Sequence, residues 1–152
     1  MRAAEYLFQR IVKIQDLISV RLSVLEIYNE NLTDLLREPT PAMALPMANN
    51  APKLSIVESV TGVMVPGLYI LPVSSYDDAY SKLLESFSNR IVAEHNLNRR
   101  SSRSHVIYTF YITRTRSEDD VVQSKLNLID LAGSERVEKT GSSGTVQKEA
   151  SY

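Results

Sequence analysis

Residues 125–136, KLNLIDLAGSER, restrict what this chain can fold into more than any other stretch. Leu126, Leu128, Ile129 and Leu131 leave little polar alternation, so the run reads as a strand lying deep in a sheet. It delivers one acid, Asp130, and then a glycine turn at Gly133. A carboxylate at the carboxyl end of a core strand is placed to hold a divalent cation, usually through water, while a glycine lets the backbone approach a terminal phosphate. The same pattern is also an ordinary strand-to-turn signal, and alone it decides nothing.

About thirty residues earlier, 98–105 reads NRRSSRSH. Ser101, Ser102 and Ser104 surround Arg103 directly before a second apolar strand. Hydroxyls can ligate magnesium or orient a water, and an arginine can pair with a carboxylate across two loops. Arg99 and Arg100 suit phosphate or solvent equally. His105 reads as a hydrogen-bonded strand residue rather than a base, and His95, at a helix C-terminus, as a cap.

The rest of the chain alternates helical and extended patterns. Residues 3–14 place Tyr6, Leu7, Ile11 and Ile14 on one helical face, and 19–27 alternates as a strand with Val20, Leu22 and Val24 on one side and Arg21 and Ser23 on the other. Leu32, Leu35 and Leu36 make a short apolar turn. Residues 38–52 hold four of the six prolines and read as a loop. Two short β-rich runs, 54–58 and 63–68, suggest a surface hairpin. Ser74 and Ser75 stand at capping-box spacing from Asp77 and Asp78, opening a helix to about residue 94 whose apolar face is Tyr76, Tyr80, Leu83, Leu84, Phe87 and Ile91. Residues 106–113 and 121–131 form an antiparallel pair about a charged turn at 116–120. Residues 135–144 read as a loop and 145–152 as the first turns of a helix.

Composition limits the partners. Seventeen Lys and Arg against eighteen Asp and Glu give a net charge of −1, which supplies no argument for nucleic acid. There is no cysteine, so disulfides and thiolate metal sites are excluded. The N-terminal run is broken by Glu5, Arg10 and Lys13 and does not read as a secretory signal or a membrane span.

Taken together, the two motifs resemble the motor domain of kinesins. Asn98, Ser101, Ser102, Arg103, Ser104 and His105 match that family's first nucleotide-sensing switch, Asp130 to Glu135 match its second, and LEIYNENLTDLL at 25–36 matches the strand and turn preceding them. The resemblance implies an α/β fold, part of a kinesin-type P-loop NTPase with a central mixed β-sheet flanked by helices. It also implies ATP and Mg2+ as ligands and the microtubule as partner. By resemblance, Ser102 approaches magnesium and the γ-phosphate, Ser101 helps place the attacking water, and Asn98 lines the nucleotide. Asp130 holds magnesium through water, the Gly133 N–H senses the γ-phosphate, and Arg103 pairs with Glu135 to latch the switches. Lys139 and Lys148 become candidate microtubule contacts, together with the hairpin after the proline-rich loop.

One required part is missing from these residues. A phosphate cradle needs GxxxxGK followed by Ser or Thr, and the only cradle-spaced glycines, Gly62 and Gly67, are followed by Leu68 and Tyr69. Residues 1–152 are therefore expected to be a partial motor domain, lacking the N-terminal cradle, the C-terminal microtubule-binding helices and the neck, and inactive alone. The other reading is a catalytically inactive kinesin-like chain that binds tubulin or a partner protein. The run at 124–152 and SNRIVAEHNLN at 88–98 look most like kinesin-9 members, which implies a cytoplasmic, cytoskeletal setting and a cilium or flagellum.

Overall fold

The computed structural model describes residues 2–37, 53–60, 62–95 and 104–132, with backbone alone at 92–95. Their order is α1 (Arg2–Ile11), β1 (Leu17–Tyr28), β2 (Asn31–Asp34), β3 (Val57–Ser59), β4 (Gly62–Met64), β5 (Leu71–Val73), α2 (Tyr76–His95), β6 (His105–Ser117) and β7 (Asp120–Asp130). The expected loops at 38–52 and 135–144 and the expected helix at 145–152 lie outside the described residues.

Strand β1 organises the sheet. Its even positions Val20, Leu22 and Val24 are buried beneath the helices, each contributing roughly 1.5–3 kcal/mol through burial. One side of β1 pairs with β6 along its whole length, from Leu17↔Thr115 to Ile27↔His105. Its other side carries β5 at Val20–Leu22 and β2 at Leu25–Tyr28, end to end. The long hairpin β6–β7 completes the order β2-β1-β6-β7. Every pairing among the described residues is antiparallel, so this part of the expected α/β sheet contains no parallel neighbours. Asp16, in the turn before β1, pairs with Arg114 and Arg116 and ties down the far end of β6.

The β1–β2 connection is a two-residue turn in which Asn29 (φ 47°) and Glu30 (φ 61°) both adopt left-handed backbone. That is the geometry that matches strand twist, and Asn is suited to it while Glu is not. Leu32, expected in an apolar turn, lies within β2, and the buried Leu35 and Leu36 follow that strand.

Both helices bury only part of the faces their apolar spacing predicts. On α1 the buried residues are Ala4 and Phe8, with Leu7 and Ile11 partly covered, whereas Tyr6 is exposed and its hydroxyl accepts a bond from Arg10 Nε at 2.8 Å. On α2 the buried stripe is Ala79, Leu83, Ser86 and Arg90, so the expected Leu83 lies in the core and Tyr76 packs against it, while Tyr80, Leu84, Phe87 and Ile91, the same spacing shifted by one residue, are exposed. Small residues allow close approach to the sheet, so Ala4, Ala79 and Ser86 win the contact over larger neighbours. The expected cap is present: the Asp78 N–H donates to Ser75 Oγ at 3.1 Å, and the Asp78 carboxylate accepts from the Ser74 N–H at 2.9 Å.

Strand β7 departs furthest from expectation. Rather than lying deep, it forms the edge of the described sheet, and Val121, Val122, Ile129 and Leu131 are exposed. An apolar sequence on both faces needs cover on both, and among the described residues only β6 and the helix layer supply any. The small hairpin β3–β4 is present but shorter than its apolar runs.

Candidate functional site

The site grows from the sheet register. Glu26 on β1 pairs with Val106 on β6, and Val106 pairs with Asp130 on β7, so three residues form one row across three strands. Side chains in such a row share a face, and here that face is the one beneath α2. Two carboxylates therefore flank Val106, which is fully buried. The charge that joins them is Arg90, on the buried stripe of α2. Its Nε lies 3.6 Å from Glu26 Oε1 and its Nη1 lies 3.3 Å from Asp130 Oδ2. Its Nη2 donates to Ser104 Oγ at 3.0 Å.

The guanidinium fork thus holds β1, β7 and the residue that leads into β6 at once. Glu26 is wholly buried, and a buried carboxylate is tolerated only when it is paired. Asp130 is different, with its side chain 58% exposed. One of its oxygens is steadied by Arg90 while much of the carboxylate remains open to a ligand. Beside it a cleft of about 290 Å³ is walled by Leu83, Phe87, Tyr108, Phe110 and Leu128. Burial pushes the Tyr108 phenol above its ordinary pKa, with nearby Arg90 acting in the opposite direction.

A second link joins the two motifs. Beyond Val106↔Asp130 the β6–β7 ladder ends, and the next residues of β7 leave the sheet. There the Ala132 N–H donates to His105 Nδ1 at 2.9 Å. The end of the serine-rich segment and the start of the acid–glycine segment are therefore held together twice, through Arg90 and through His105. The reading of His105 as a hydrogen-bonded strand residue matches this geometry.

Of the candidate residues, Asp130 is described. Asn98, Ser101, Ser102, Arg103, Gly133, Glu135, Lys139 and Lys148 lie outside the described residues, as does the side chain of His95. Sequence reasoning missed Glu26 and Arg90. Both had a signal: Glu26 continues the buried series Val20, Leu22, Val24, and an acid on a core face implies a buried partner.

This antiparallel sheet with its two helices is the frame of a motor domain. The family model for the kinesin motor domain matches residues 1–152, and the chain belongs to that family. It is 48% identical to the kinesin-like protein KIF9 of Mus musculus over 89% of this chain and 17% of that protein. It is 37% identical to the kinesin-like protein KLP1 of Chlamydomonas reinhardtii over 99% of this chain and 19% of that protein. A solved structure described as that of a fast kinesin superposes with a TM-score of 0.78 at 36% identity, over 98% of this chain and 40% of its own. The chain thus spans less than a fifth of the length of these two curated relatives.

Proposed function

We propose that this chain is the two-switch segment of an ATP-hydrolysing microtubule motor, active within a longer polypeptide that supplies the phosphate cradle. The observation that carries this reading is the Arg90 fork, which fixes the acid of one motif and the last serine of the other to a single buried cation. Such a fork is suited to making the two motifs respond together, so that a terminal phosphate sensed by one is felt by the other.

The donor set fits magnesium. Among the described residues no cluster of three or more His, Cys, Asp or Glu could hold a metal unaided, and Asp130 offers one half-open carboxylate. That suits an ion that arrives with its nucleotide and takes one or two carboxylates beside the substrate phosphates. Asp130 would hold it through water and Ser102 would approach it, while Asn98 lines the nucleotide. When bound, magnesium neutralises charge developing on the phosphates. Ser101 orients the attacking water, the Gly133 N–H reads the γ-phosphate, and the Arg103–Glu135 pair closes the site against bulk water.

Microtubule contact falls to the β3–β4 hairpin and to Lys139 and Lys148. The hairpin presents Ile56, Val57, Val60, Val63 and Met64 to solvent with Glu58 among them, so its contribution is apolar rather than electrostatic. No described helix is long and apolar enough to cross a membrane. The 48% identity to KIF9, against 39% to KIF13A of the same species, supports the kinesin-9 branch and with it a cytoskeletal location in a cilium or flagellum.

The test is microtubule-stimulated phosphate release from a motor domain carrying this chain, wild type against Glu135→Ala. The wild type turns over, and the variant binds ATP but loses about a hundredfold in turnover. Absence of stimulated release in the wild type overturns the reading. Unchanged turnover in the variant removes the latch.

A further inference from the structure

We infer that His105 is a positioning residue for the second switch, acting through its Nδ1 on the backbone of Ala132. The inference rests on the reading of Asp130 as the magnesium-water ligand and adds what holds the chain just beyond it.

The geometry is specific. In the ladder, Val106 faces Asp130, and one step further His105 would face Leu131, but the strand has already ended there. The backbone of His105 is still held on its other side by pairing with Ile27. Its side chain therefore extends from a fixed strand and accepts the N–H that the ladder no longer engages, that of Ala132 at 2.9 Å. A backbone N–H can only donate, so Nδ1 must be the unprotonated nitrogen and the imidazole proton lies on Nε2. The ring is thus a fixed acceptor standing in for a carbonyl.

The consequence concerns the end of β7. Ala132 lies two residues beyond Asp130, so holding its N–H fixes the chain where it leaves the strand that carries that carboxylate. His105 supplies that constraint from the strand that begins where the serine-rich segment ends. The neighbouring Ser104 is buried and bonded to Arg90, so His105 is anchored on both sides. A shift of the first switch therefore reaches the second through one side-chain bond as well as through the Arg90 fork.

The Asn side chain tests this, because its Oδ1 is attached at the same γ position as Nδ1 and can accept the same bond. In a motor domain carrying this chain, His105→Ala is expected to lower microtubule-stimulated kcat by about tenfold or more with the KM for ATP changed less than about threefold, the signature of misplacement rather than lost binding. His105→Asn is expected to recover most of that loss. Nitrogen chemical shifts of the wild-type imidazole give a readout independent of turnover, with Nδ1 unprotonated and Nε2 protonated. Unchanged kcat in His105→Ala, equal impairment in the Asn variant, or a protonated Nδ1 would each overturn the inference. Failure of the wild type to hydrolyse ATP at all would instead remove the functional reading on which it rests.

Discussion

Arg90 reaches Asp130 at 3.3 Å over the buried Val106, from a helix whose most apolar stripe lies one residue round and is exposed. The arginine lies inward because Glu26, wholly buried on β1, requires a cation, and Ser104 and Asp130 share it. This single side chain joins the helix before the serine-rich segment to the acid of the second motif.

Removing that cation strands a buried carboxylate. Arg90→Ala is expected to cost about 3–5 kcal/mol in urea unfolding of the motor domain, because Glu26 is left charged and enclosed. The double variant Glu26→Met with Arg90→Met should recover at least half of that loss. A double variant no more stable than the single would show that the cost comes from elsewhere.

Glu30 occupies a left-handed position at φ 61°, where a residue with a Cβ is strained. Glu30→Gly relieves this and is expected to stabilise by about 1 kcal/mol, read as a raised urea midpoint with unchanged slope. Glu30→Val should move the midpoint the other way.

Asp34 accepts from the Leu36 N–H at 3.0 Å and the Tyr69 N–H at 2.7 Å, pinning the end of β2 to the segment before β5. Arg37 adds to this junction by donating to the Gly67 carbonyl at 2.9 Å and lying over the Tyr69 ring. Burial raises the Asp34 pKa above 3.8, and the backbone donors of Tyr69, Leu36 and Arg37, with the Arg37 charge, only partly offset it. The folded state therefore holds this proton more tightly than the unfolded chain. The corresponding stabilisation is fully present below pH 3.8 and is lost as pH rises through the raised folded value. Unfolding free energies of wild type and Asp34→Ala measured across that window should show the wild-type advantage shrinking with rising pH. An advantage that grows with pH would contradict the assigned sign.

Much of the fold was legible because its signals are local. Strict alternation marked β1, a Ser–Asp cap marked the start of α2, and the charged turn at 116–120 marked the β6–β7 hairpin. Helix orientation was not legible, because α2 carries two stripes at the same spacing, one residue apart. Hydrophobicity favours Tyr80, Leu84, Phe87 and Ile91, whereas packing distance favours Ala79, Leu83, Ser86 and Arg90. Periodicity cannot choose between them, and the choice depends on Glu26 across the sheet. The edge position of β7 was equally out of reach, since an apolar run states that cover is needed without stating which element provides it. At the site, the motifs named Asp130 directly. Glu26 and Arg90 act through register and long-range pairing, and neither belongs to either motif.

In the proposed motor domain, the central claim is that Arg90, paired with Asp130, supports that carboxylate as the magnesium-water ligand. Its most direct test is the Mg2+ dependence of microtubule-stimulated phosphate release, wild type against Arg90→Lys, in a motor domain carrying this chain. Lysine keeps the charge beside Glu26 but lacks the planar fork that engages Asp130 and Ser104 together. The Mg2+ concentration for half-maximal release is expected to rise about ten- to a hundredfold in the variant, as when an outer-shell partner of a metal ligand is lost. An unchanged Mg2+ requirement would contradict the claim that Arg90 supports this site.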